Sequence, residues 1–179
     1  VSEGKKAKIE EVALDGVKAF KTKKLVKKMK NRPRKIYLPQ ELDNDFKAIE
    51  TFYKNNGYSE FKLEGSSVVF NEDKSKVYVK AAVAEGPLQR FGATTFSGNT
   101  VYSSKILAEL LEYRRGKLFN QEKLDDTLRT LQDKYADKGY LKALLKPEKT
   151  PSAATGALDI NFNITENNPI YVGNIDVEG

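Results

Sequence analysis

At 179 residues the chain has room for one or two small domains, and it contains neither cysteine nor histidine. That excludes thiol and imidazole chemistry, Ser-His and Cys-His pairings, disulfide staples and the usual zinc sites. The net charge of +6 is concentrated at the front, where residues 1–35 hold 13 Lys and Arg against four acidic residues. No stretch approaches the ~20 apolar residues of a membrane-spanning helix. The first patterned segment carries Ile9, Val12 and Leu14, with Val12 and Leu14 on one face of a strand that stops at Asp15-Gly16. Thr22 is placed to cap a short helix whose Leu25 and Met29 share a face, and Asn31-Arg32-Pro33 ends it. Pro39 then opens a longer helix in which Leu42, Phe46, Ile49 and Tyr53 form one apolar stripe, closed by Gly57. Phe61, Leu63, Val68 and Phe70 belong to a strand with Gly65 as a bulge that changes the facing side. Asn71–Lys74 is a turn, and Val77, Val79, Ala81 and Val83 alternate along the last strand to Glu85-Gly86-Pro87.

The same order then returns at an offset of 82 residues. Gly16, Phe20, Leu25 and Met29 reappear as Gly98, Tyr102, Leu107 and Leu111, and Tyr53–Tyr58 reappears as Tyr135–Tyr140. Ser104 replaces Thr22 as the cap. Leu124, Leu128, Leu131 and Tyr135 repeat the long helix. Leu141, Ala143 and Leu145 precede a loop at residues 150–157, and Leu158, Ile160, Phe162 and Ile164 close the unit. The predicted fold class is therefore α+β, two tandem β-α-α-β-β domains. Each is expected to be a three-stranded mixed sheet with two helices on one face. The expected domains are residues 1–87 and 88–169. In 170–179 the run from Gly173 to Gly179 resembles residues 92–98, so it is read as the first strand of a further copy and the chain as a slice of a longer array.

Gly after the first strand, Tyr-x-x-x-Gly-Tyr at the end of the second helix and Glu-Gly-Pro after the last strand resemble the POTRA domain. Taken together, the likeness is to the tandem POTRA arrays of BamA-type outer-membrane insertases, over about residues 8 to 179. Two positions depart from the family pattern: Val17 stands where Asn99 matches it, and Phe61 stands where Ala143 does. The resemblance implies periplasmic domains of an outer-membrane protein of a Gram-negative bacterium. Their partners would be unfolded outer-membrane protein precursors and accessory assembly lipoproteins, with a covalently continuous membrane β-barrel outside this chain. Similar domains serve two-partner-secretion and autotransporter-assembly transporters, and cell-division interaction proteins.

In that family's strand order the penultimate strand lies at the sheet edge, where unpaired backbone groups can take an extended peptide as an added strand. The candidate peptide-binding edge is Phe61, Leu63, Ser66, Val68 and Phe70. The second copy's edge is expected to bind poorly, because Pro147 removes a donor and Lys142 and Lys146 guard it. A basic patch of Lys23, Lys24, Lys27, Lys28, Arg32 and Arg34 is a candidate for contact with a membrane surface or an acidic partner. The repeat spacing of Tyr53, Tyr58, Tyr135 and Tyr140 marks them as structural, not as base-stacking residues, so no nucleic acid is expected. Glu41, Asp43, Asp45, Glu50, Asp125 and Asp126 lie off the apolar stripes and are read as solvent-facing. No catalytic, cofactor or metal site is assigned, and the chain is not expected to be an enzyme.

Overall fold

Residues 7–153 and 155–170 are described in a computed structural model of the chain. The first unit runs β1 (Lys8–Asp15), α1 (Thr22–Val26), a tight turn at Pro39–Glu41 leading into α2 (Leu42–Lys54), β2 (Lys62–Phe70) and β3 (Lys76–Ala84). The second repeats it as β4 (Phe91–Ser97), α3 (Ser104–Ala108), α4 (Gln121–Ala136), β5 (Leu144–Pro151) and β6 (Leu158–Thr165). The division between the two compact units falls between Leu88 and Gln89.

In each unit the last strand is central. β1 pairs with β3 in parallel and β2 pairs with β3 antiparallel, and the second sheet has the matching order β4-β6-β5. A βααβ crossover demands the parallel pair, and the short Asn71–Lys76 hairpin allows the antiparallel one. Alternate residues of β3, Val77, Val79, Ala81 and Val83, are buried in one cluster with Leu25, Phe46, Ile49 and Tyr53 from the helices. Leu107, Leu124, Leu131 and Tyr135 meet Leu158, Ile160, Phe162 and Ile164 in the same way. A register shift between Ile9 and Glu11 lets Ile9, Val12 and Leu14 all face the core. Gly16 and Gly98 adopt positive φ, and a Cβ at either would collide with the Val83 or Ile164 carbonyl oxygen. Only glycine fits where the first strand passes the end of the last.

Several local expectations are corrected. The second short helix is capped by Ser103, whose side chain accepts from the Ile106 N–H, and neither Thr22 nor Ser104 caps. Phe61 precedes β2 and is only 3% exposed, stacked on Tyr53 with ring centroids 4.2 Å apart. That stacking is how the first copy accommodates an aromatic where the second has Ala143. β5 starts at Leu144 and continues to Pro151, so Leu141 and Ala143 lie outside the strand and the expected loop begins later. The further copy expected in 170–179 lies, beyond Ile170, outside the described residues.

Candidate peptide-binding edge

The two rims of the first sheet differ. At the start of β1 the chain covers its own edge: Ile9 N–H donates to the Lys35 carbonyl (2.8 Å), Arg34 N–H to Ile9 (2.8 Å) and Tyr37 N–H to Ala7 (2.9 Å). The second unit covers the start of β4 in the same way, through Phe91 with Lys117 and Gly116. β2 and β5 have no ladder partner on their outer sides among the described residues. They are the rims open along the whole strand.

Which backbone groups of β2 point outward follows from the hairpin. Asn71 N–H donates to the Lys76 carbonyl (3.1 Å), so that pair faces inward, and antiparallel pairing alternates from there. Val69 and Ser67 face β3, whereas Phe70, Val68 and Ser66 direct their N–H groups away from it. The side chains of those three stand beside Val77, Val79 and Ala81, on the helix-facing side of the sheet. The register shift between Leu63 and Gly65 brings Leu63, paired with the buried Val83, onto the same side. Val68 is half-buried against the core, but Leu63 is 40% and Phe70 45% exposed, and Phe70 meets Tyr37 edge to face. Leu63, Ser66, Val68 and Phe70 thus form an accessible strip beside a run of free donors. Phe61, expected in that strip, belongs to the core instead.

In β5 the register with β6 places Leu145, Pro147, Lys149 and Pro151 at the positions of Leu63, Ser66, Val68 and Phe70. Ser152 N–H donates to the Ala157 carbonyl (2.7 Å), so the same alternation leaves residues 151, 149, 147 and 145 facing outward. Two of these are proline. Neither can supply the donor that an added strand requires. Lys149 fills the strip between them, its ammonium 5.6 Å from the Phe119 ring centroid and donating to Gln121 Oε1. Of the expected guards, Lys146 lies on the strand, whereas Lys142 precedes it and its carbonyl accepts from Asn167 Nδ2. Pro151 and Lys149 escaped sequence reasoning because their facing depends on the register.

Each unit also contains a carboxylate latch that the sequence did not disclose. Glu85, just after β3, accepts from the Lys18 and Ala19 N–H groups (2.8 and 2.9 Å) and from the Tyr53 hydroxyl (2.7 Å). Glu166 accepts from the Thr100 and Val101 N–H groups (2.8 and 2.9 Å) and from the Tyr135 hydroxyl (2.9 Å). Burial raises each carboxyl, but for Glu85 the bonds from Tyr53, Lys18 and Ala19 outweigh it. For Glu166 the bonds from Thr100, Val101 and Tyr135 do the same, and both groups are held below the usual carboxylate range. Burial first, and the adjacent carboxylate second, push the Tyr53 and Tyr135 phenols up. Asp45, expected at the surface, is 3% exposed and accepts from the Lys30 and Asn31 N–H groups in the segment after α1. Thr127 does this for Glu112 in the second unit.

The expected basic patch is partly assembled. Lys27, Lys28, Arg32 and Arg34 line one concavity, and Lys23 lines a neighbouring one with Lys27 and Arg32. Lys24 is drawn aside, its ammonium 4.9 Å from the Phe52 ring centroid and 5.3 Å from that of Phe20.

The model of the POTRA family, described as a surface antigen variable number repeat, matches residues 7–86 and again 89–167. The chain belongs to the POTRA family. Both POTRA units are covered by matches to outer membrane protein assembly factors BamA. The one from Neisseria meningitidis serogroup B is 28% identical over the whole of this chain and 24% of that protein. The one from Buchnera aphidicola is 27% identical over the whole of this chain and 30% of that protein. The chain therefore spans less than a third of these relatives. A crystal structure of Haemophilus influenzae BamA POTRA3-5 superposes with a TM-score of 0.80 at 22% identity, covering 91% of this chain and 67% of that one, which shows the shared fold.

Proposed function

We propose that this chain is a pair of periplasmic, non-enzymatic scaffold domains from an outer-membrane β-barrel assembly machine. In this reading its first POTRA unit holds extended segments of unfolded outer-membrane protein precursors by adding them as a strand to β2. Accessory lipoproteins of the machine would dock on the same array, and a membrane β-barrel would continue the polypeptide. The observation that carries the reading is the open β2 rim, with outward donors at Ser66, Val68 and Phe70 beside an accessible apolar strip. Backbone bonding tolerates many client sequences, since every client offers the same carbonyls. The similarity to BamA proteins supports the setting.

The test is Val68→Pro. Because Val68 N–H points away from β3, proline there removes an outward donor and leaves the pairing inside the sheet intact. A dye-labelled peptide copied from a barrel strand should bind the unaltered chain and lose about tenfold in affinity for the variant, read by fluorescence anisotropy. Circular dichroism checks that the variant is folded. A folded variant with undiminished binding would reject strand addition at this edge.

A further inference from the structure

On the opposite rim of the first unit, beside β1, lies a concavity of about 870 Å³ between the end of α1 and the segment that covers β1. Its apolar floor comes from Met29, Ile36 and Leu38. Lys27, Lys28 and Lys30 rim it from the helix end, Arg32, Arg34 and Lys35 from the loop, and Lys8 from β1. A second concavity, floored by Val12 and Val26, adjoins it through Lys27 and Arg32. Some of these charges are already engaged: Lys30 pairs with Glu41 (3.0 Å), and the Lys28 ammonium sits 4.4 Å from the Phe52 ring centroid. Lys8, Lys27, Arg34 and Lys35 face no bonded carboxylate among the described residues.

The second unit shows what the scaffold alone requires. With the same backbone path and the same bridge to its first strand, it has Glu109 in place of Lys27, Glu112 in place of Lys30 and Gly116 in place of Arg34. Gly116 has φ 82° and Arg34 has φ 71°, so the first unit holds an arginine where the backbone favours glycine. The second unit keeps cations at the positions of Lys8, Arg32 and Lys35, as Arg90, Arg114 and Lys117, so the charge at Lys27, Lys28, Lys30 and Arg34 is what the first unit adds to the fold. A backbone conformation unfavourable to side chains is kept there with a cationic side chain on it.

We infer that this cleft is a docking site for an extended polypeptide segment carrying carboxylates beside apolar side chains. The cations ring a concavity with an apolar floor. A flat headgroup layer would reach the rim and leave Ile36 and Leu38 uncovered, whereas a chain of mixed acidic and apolar side chains meets rim and floor together. The site is independent of strand addition at β2, which lies across the sheet.

The test uses the whole chain and a dye-labelled peptide of glutamate and leucine, with a lysine-for-glutamate counterpart. It also uses phosphatidylcholine vesicles with and without phosphatidylglycerol. The site variant is Lys27→Glu with Arg34→Gly, the residues that the second unit carries on the same backbone, so the fold is retained. The control, Lys123→Glu with Lys105→Ala, makes the same change in net charge on the second unit. The acidic peptide should bind, more weakly as salt rises, and the lysine peptide should not. Affinity should drop about tenfold or more in the site variant and stay unchanged in the control and in Val68→Pro. Equal affinity of site variant and parent would overturn the assignment, and so would equal losses in site variant and control. Sedimentation with phosphatidylglycerol vesicles in the absence of peptide binding would overturn it in favour of a membrane surface.

Discussion

Glu85 and Glu166 bind three parts of their unit together: the end of the last strand, the loop after the first, and the tyrosine that finishes the long helix. Since their folded pKa values are depressed, the stability they contribute is present above the ordinary carboxylate range. It is lost as pH falls through the lower folded value. Glu85→Gln keeps an acceptor and removes the charge, so the first unit should lose on the order of 1–2 kcal/mol near neutral pH. It should then lose less than the parent on acidification to about pH 3, measured by urea denaturation at each pH. An unchanged acid dependence would show that the latch does not titrate with folding. Glu85 and Tyr53 were both visible in the sequence as punctuation, a strand end and a helix end. Their bond was not, because 32 residues separate them and only the packed helix layer brings them together. Asp45 departs from its expected surface position for a related reason. Helical periodicity puts it off the apolar stripe, but the loop from α1 folds over it and delivers two N–H groups that need an acceptor.

As elements, β2 and β5 are the same strand with its outward donors kept in one copy and removed in the other. The bulge at Gly65 keeps Leu63 in the strip with Ser66, Val68 and Phe70, and β5 has no such shift. Proline at 147 and 151 removes two outward donors, and Lys149 crosses the strip towards α4. Restoring what β2 has should restore capture. Pro147→Ser with Lys149→Val is expected to strengthen peptide binding at β5 by about tenfold, seen as peptide-dependent shifts of the β5 amide resonances. If those resonances stay still at saturating peptide, outward donors are not what limits this edge. The alternation of the strands, the Gly65 bulge and Pro147 were all legible along the chain. The orientation of each N–H was not, since it depends on the hydrogen-bonded partner across the hairpin, which sequence period alone does not specify.

Across the molecule, each unit gathers its own cluster of buried apolar residues, 13 in each among the described residues. Residues 7–88 and 89–170, produced separately, should therefore each unfold as a single cooperative transition by circular dichroism. Only the first should bind a barrel-strand peptide, and loss of structure in either piece would show that the units depend on each other. The repeat, the element order, the core stripes and the turn glycines are all written along the chain, because they follow from local periodicity and from backbone conformations open to few residues. What had to wait for the packed chain is the cover over the start of β1, which donors face outward, what Glu85 and Asp45 hold and how the basic residues divide between a cleft and an aromatic face. Those are outcomes of distant segments meeting, and nothing local to a residue encodes which partner the packed chain will bring to it.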